Sequence, residues 1–163
     1  MNKIRILIIG LGRIGKIHLG NLQAIDEVEI VGICDPTDEA KVFSNKAGLT
    51  FYQKDFTDVA GEVQADAIVI CSPTDTHANY VSIAAKKGID VFCEKPLDLS
   101  LEKVKQVLKT VNESKIKLML GFNRRFDSEF QSVKEKIVKG HIGDIHTIKI
   151  TSRDLYLIHI SEP

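Results

Sequence analysis

The chain has 163 residues, its 22 Lys+Arg balance its 22 Asp+Glu, and 44% of its residues are hydrophobic but only 6% aromatic. This is the composition of an ordinary globular chain of one-domain size, long enough to bury roughly 68–70% of its unfolded surface without metal or disulfide staples. Zero formal charge with no Lys/Arg run leaves no field for nucleic acid or an anionic membrane, and no apolar stretch approaches the roughly 20 residues of a membrane-spanning helix.

Without a signal-like apolar region the expected compartment is the cytoplasm. Cys34, Cys71 and Cys93 form no C-x-x-C pair. They are expected to be small buried residues, with neither a disulfide framework nor a metal site.

Residues 4–9 are almost continuously apolar and rich in isoleucine, which predicts a strand buried on both faces of a parallel sheet. Gly10-Leu11-Gly12-Arg13-Ile14-Gly15 follows at once and opens a helix with Ile14, Ile17, Leu22 and Ile25 on one face. Residues 28–34 read as a second strand. Pro36-Thr37-Asp38-Glu39 then places acids in a first helical turn, and Gly48 stops that helix.

Residues 50–52 are a short strand candidate, 66–71 a strand, 76–87 a helix closed by Gly88, and 90–93 another strand. Ser100 caps a helix in which Leu101, Val104, Val107, Leu108 and Val111 recur near period 3.6, and residues 116–122 supply a sixth strand. Six strands alternating with helices predict an α/β fold, a doubly wound parallel sheet of the Rossmann kind.

The texture changes at about residue 122. Asn123-Arg124-Arg125-Phe126-Asp127 is polar and basic, Phe130, Val133, Ile137 and Val138 mark a helix ended at Gly140, and residues 144–152 alternate as a strand. The expected organisation is a nucleotide-binding domain over 1–121 and the beginning of a second α+β domain over 122–153.

Gly10-x-Gly12-x-x-Gly15 takes its meaning from its place between a buried strand and a helix. The first glycine permits the tight turn, the second lets the backbone approach a pyrophosphate, and the third lets the helix pack close to the sheet. Backbone N–H groups around Arg13 and Ile14, at the positive end of the helix, suit the phosphates. Twenty residues beyond Gly15, Asp35 can accept hydrogen bonds from both ribose hydroxyls and repel a 2′-phosphate, which favours NAD over NADP. Pro36 and Arg13 leave room for dual use.

Two further loops lie at the carboxyl edge of the sheet, where ligands of this architecture collect. The loop after the fourth strand holds Ser72, Pro73, Thr74 and His77, and the turn after the fifth holds Glu94, Lys95 and Pro96. Ser72 and Thr74 offer hydroxyls and amides to the ribose and nicotinamide side of the cofactor. Lys95 is the candidate catalytic residue: an ammonium beside the nicotinamide would stabilise a substrate oxygen as charge builds on it during hydride transfer.

Gly-Leu-Gly-Arg-Ile-Gly (residues 10–15), Cys-Ser-Pro-Thr-x-Thr-His (71–77), Glu-Lys-Pro-Leu (94–97) and Gly-Phe-Asn-Arg-Arg-Phe-Asp (121–127) together resemble the Gfo/Idh/MocA oxidoreductases, over residues 1 to about 153. Within that family the chain is most similar to the inositol 2-dehydrogenases. The resemblance implies an NAD-holding Rossmann domain followed by a larger α+β domain that supplies most of the substrate site. It implies that Lys95 binds substrate and assists proton transfer, that the Lys95-Pro96 bond is often cis, and that Asn123, Arg124 or Arg125 lies near cofactor or substrate, Asn123 and Arg125 being the substrate candidates. The substrate implied is a cyclitol or sugar, myo-inositol first, and the full-length protein is expected to be a homo-oligomer. A non-catalytic NAD-binding sensor and an NAD-dependent glycoside hydrolase are the alternatives.

Dehydrogenases of the family also use an Asp-x-x-x-His pair on a helix of the second domain, with the His as proton acceptor. None of His18, His77, His141, His146 and His159 stands in that position. Thr151-Ser152-Arg153-Asp154 still fits the family, whereas residues 157–163 resemble a translated sequencing adapter. The expectation is therefore an N-terminal fragment with a non-native tail over 154–163, inactive alone and prone to self-association or partial disorder beyond residue 122.

Overall fold

In the computed structural model, which describes residues 3–151, β1 (Ile4–Ile9) is apolar because both of its faces are covered. Ile6 and Ile8 pack with Leu19, Ile33 and Ala40 on one face, while Leu7 and Ile9 pack with Ile68, Ile70 and Val81 on the other. The period-2 alternation of a strand thus feeds two cores at once.

Five more strands run parallel to it: β2 (Val28–Cys34), β3 (Phe51–Tyr52), β4 (Ala67–Ile70), β5 (Asp90–Cys93) and β6 (Leu118–Leu120). Their order is β3-β2-β1-β4-β5-β6, the doubly wound arrangement in which direction reverses between β1 and β4. Helices α1 (Arg13–Gln23) and α2 (Asp38–Lys46) contribute to one core, and α3 (Phe56–Val59), α4 (Thr74–Lys86) and α5 (Leu101–Ser114) to the other. The α/β doubly wound expectation is met.

The starts of α2, α3 and α5 carry side-chain caps. Thr37 accepts from Ala40 N at 3.3 Å at the start of α2, and Ser100 accepts from Lys103 N at 3.4 Å at the start of α5. The four-residue α3 went unread in the sequence, because so short a helix shows no periodicity; Asp55 caps it through Thr57 N at 2.8 Å, and Tyr80 donates to the same carboxylate. Helix α4 begins at Thr74 rather than residue 76, with Pro73 at its N-cap.

Asp66, at the N-terminal edge of β4, accepts from Arg5 N at 2.9 Å and pairs with its guanidinium at 2.8 Å. The Arg5 side-chain hydrogen bond, with the backbone one, lowers the carboxyl from its ordinary 3.8 to about 2. A carboxyl depressed by folding contributes stability that is present above its unfolded value and lost as pH falls through its folded one. Wild type and Asp66→Asn should therefore differ in urea midpoint at pH 6, and the difference should close between about pH 4 and about pH 2.

The chain divides into two units between Phe122 and Asn123. In the second, a 3-10 turn (Asn123–Phe126) leads to α6 (Ser128–Val138), capped by Asp127 accepting from Glu129 N at 2.9 Å and Phe130 N at 3.1 Å. No residue of α6 is buried, and Phe126, Val133, Val138 and Ile142 are all more than half exposed. The expected strand over 144–152 is corrected: residues 144–151 carry no strand, and Ser152 lies outside the described residues, as does the 154–163 tail. Alternation alone makes no strand, since the ladder needs a neighbour to pair with.

Candidate functional site

Gly10 leaves β1 at φ +85°, and a Cβ there would lie 2.6 Å from Ser72 N. A Cβ on Gly15 would come within 2.1 Å of the Gly10 carbonyl oxygen. Both glycines are therefore required by the protein's own packing. A Cβ on Gly12, by contrast, would meet nothing within 4 Å among the described residues beyond its chain neighbours. Gly12 is the N-cap of α1, where no side chain caps the helix, and Lys16 N is the first to close onto its carbonyl, at 3.0 Å. The N–H groups of Gly12, Arg13, Ile14 and Gly15 consequently have no intrahelical partner. An open side, free donors and the positive helix end fit a pyrophosphate.

Asp35 follows β2 and is 8% exposed. Its Oδ2 accepts from Leu11 N at 2.8 Å, and its Oδ1 from Thr37 N at 2.8 Å and Thr37 Oγ1 at 2.6 Å. Three of the roughly four acceptor positions of a carboxylate are thus used inside the protein. The expectation that Asp35 accepts from both ribose hydroxyls is narrowed by this: one acceptor position remains. The carboxylate also ties the end of β2 to the glycine loop.

The β4 and β5 loops meet at this same edge. Cys71 N donates to Ile9 O at 2.7 Å and Glu94 N to Ile70 O at 2.9 Å, extending the sheet to both loops. Ser72 Oγ lies 2.6 Å from Thr76 Oγ1, Thr74 opens α4 and Pro73 is exposed. His77 is 2% exposed, with Nδ1 2.8 Å from Pro96 O and Nε2 2.9 Å from Ser72 O. The His77 ring is thus enclosed between the two loops and bridges them.

Lys95 itself is exposed, at the head of a cis Lys95-Pro96 bond. Its N–H donates to Glu94 Oε2 at 3.3 Å, and Glu94 Oε1 in turn accepts from His18 Nε2 at 2.9 Å. His18 was passed over in the sequence, where a lone histidine on a helix signals nothing. Cys34 and Cys93 are buried and Cys71 half-buried, and burial pushes each thiol up to about 12.

In the second unit Asn123 and Arg125 are exposed on the 3-10 turn. Gln131 Nε2 donates to Arg125 O at 2.9 Å, and the Arg124 guanidinium stacks 4.8 Å from the Phe130 ring centre. A concavity of about 630 Å³ is lined by Arg124, Arg125, Phe126, Phe130, Gln131 and Lys134.

Sheet order, glycine turn, helix N-terminus and the acid at the end of β2 define a dinucleotide-binding domain of the doubly wound class. A family described as an oxidoreductase family with an NAD-binding Rossmann fold (GFO_IDH_MocA) matches residues 4–122. The chain belongs to this family, and NAD is its cofactor.

Among similar proteins are an inositol 2-dehydrogenase of Rhizobium meliloti, 40% identical over 152 residues, and a myo-inositol 2-dehydrogenase of Thermotoga maritima, 41% identical over 152 residues. Each match takes in 93% of this chain and 46% of the relative. A crystal structure of scyllo-inositol dehydrogenase from Lactobacillus casei, with NAD(H) and scyllo-inositol bound, superposes with a TM-score of 0.82 at 32% identity, covering 88% of this chain and 43% of that one. The chain thus spans somewhat under half the length of these relatives. Among the described residues, no helix is long and apolar enough to cross a membrane.

Proposed function

We propose that this chain is the cofactor-holding part of an NAD-dependent dehydrogenase acting on the secondary hydroxyl of a cyclitol or sugar, with myo-inositol the first candidate. The observation that carries the reading is the Glu94-Lys95-Pro96 turn, which leaves Lys95 exposed at the sheet edge used by the glycine loop while His77 bridges the turn to the Ser72 loop. Relatives named as inositol dehydrogenases support the substrate class.

The free N–H groups of Arg13, Ile14 and Gly15 and the open side of Gly12 would receive the pyrophosphate. The remaining acceptor position of Asp35 would take a ribose hydroxyl, while Ser72, Pro73, Thr74 and the Glu94-Lys95-Pro96 turn would flank the nicotinamide side. NAD, when bound, supplies the hydride acceptor. The Lys95 ammonium would donate to the reacting oxygen, favouring the alkoxide character that grows as hydride leaves its carbon. Asn123 and Arg125 are proposed as substrate contacts. The proton acceptor would be the family's Asp/His pair, in sequence beyond this chain, and the whole protein would assemble as a homo-oligomer.

The test begins by sequencing the source gene past the Asp154 codon and expressing the complete frame. Polyol-dependent NAD reduction is expected there, and Lys95→Ala should lower kcat by about 10² to 10⁴, the usual contribution of proton-transfer assistance. Full activity without the ammonium would remove Lys95 from the chemistry, and a frame that closes at Pro163 would reduce the chain to a dinucleotide binder.

A further inference from the structure

His18, on α1, reaches across to Glu94 at the carboxyl edge of the sheet. Its Nε2–H donates to Glu94 Oε1 at 2.9 Å, with the two side chains 24% and 22% exposed. The ring also stands edge-on to Phe92, its centre 5.0 Å from the phenyl centre. The partner carboxylate is confined from the other side, because a Cβ on Gly121 would lie 3.0 to 3.1 Å from its atoms. Its second oxygen accepts from Lys95 N at 3.3 Å, and its own backbone is anchored by Glu94 N donating to Ile70 O. One carboxylate therefore connects the ring on α1 to the backbone of the lysine.

We propose that His18 is a positioning residue for Lys95, acting through the Glu94 carboxylate to link the helix that receives the pyrophosphate to the turn that presents the ammonium. The proposal rests on the reading of Lys95 given above. The physical reason is geometric: Lys95 is exposed, so its placement depends on the turn beneath it, and a charge-assisted hydrogen bond is stronger than the neutral bonds of an ordinary turn. Without the ring, a half-buried carboxylate would lose the shorter of its two hydrogen bonds and draw the turn toward water. The Glu94 charge also reaches the thiols of Cys71 and Cys93: burial, then for Cys93 the Cys71 thiol, then Glu94, push both up to about 12.

The link can be read in this chain without turnover. Lysines are dimethylated with carbon-13, the Lys95 signal is assigned with Lys95→Arg, and its shift is followed against pH together with the ring resonances of His18. The expected result is a Lys95 inflection with the same midpoint as the His18 ring. His18→Gln, which keeps an N–H donor, should retain the Lys95 shift of the wild type and lose the inflection, whereas His18→Ala should displace the signal altogether. A Lys95 signal that stays flat through the ring titration, or an inflection that persists in folded His18→Gln, overturns the proposal. Wild type alone supplies the first of these outcomes, so a variant that fails to fold does not decide the matter. If the inflection is present but Lys95→Ala of the complete protein remains fully active, the polarising role falls and the link stands.

Discussion

Gly12→Ala should leave the fold intact and cost more than about 100-fold in NADH affinity, a loss near 2.7 kcal/mol. Apart from its chain neighbours, a methyl at Gly12 meets no atom of the described residues within 4 Å, so the folded chain has nothing to rearrange, and an alanine N-cap changes stability by less than about 1 kcal/mol. The same methyl occupies the side on which a pyrophosphate would approach the N–H groups of α1. Gly15→Ala should do the reverse. Its Cβ would sit 2.1 Å from the Gly10 carbonyl, a backbone atom that moves only if the turn or helix moves, and a loss of at least about 3 kcal/mol is expected. Urea unfolding and NADH fluorescence on both variants separate the two roles. Equal NADH affinity in Gly12→Ala and wild type would mean that the pyrophosphate binds elsewhere.

Asp35→Ala is expected to change both stability and cofactor choice. Removing the carboxylate leaves Leu11 N without its buried acceptor and strips Thr37 of two bonds, which should cost about 2 to 3 kcal/mol. It also removes the negative charge that opposes a 2′-phosphate, so the ratio of NADPH to NADH dissociation constants should fall at least about tenfold. Asp35→Asn should not restore stability, because an amide group carries its own N–H donors into a niche already filled by donors. Unchanged discrimination between the two cofactors in folded Asp35→Ala would refute the specificity role and leave Asp35 as a tie between β2 and the glycine loop.

Much of the architecture was legible because its signals are local. The continuous apolar run of β1, the glycines after it, the Ser100 cap and the 3.6-residue period of α5 each lie within a few residues and report directly on strand, turn and helix. The same locality misled at residues 144–151, where alternation suggested a strand, but strand formation is a property of a pair of segments. It also hid α3, whose four residues carry too little pattern, although Asp55 at its cap was a usable sign.

The candidate residues of the first unit were legible as a set gathered at one sheet edge, since alternating strands and helices place every loop after a strand at the carboxyl side. Their individual roles were decided by tertiary structure. Asp35 reaches Leu11 across 24 residues, His77 reaches Pro96 across 19, and His18 reaches Glu94 across 76. A histidine 2% exposed between two carbonyl oxygens and a residue open to solvent look alike in sequence. Sequence by itself determined the doubly wound class, the glycine turn and the acid at the end of β2, because each depends on neighbours in the chain. Which glycine keeps an open side, how many acceptor positions Asp35 keeps, and which side chains meet at the Lys95 turn were decided only when the sheet brought distant strand ends together, because hydrogen bonds and steric contacts depend on distance in space.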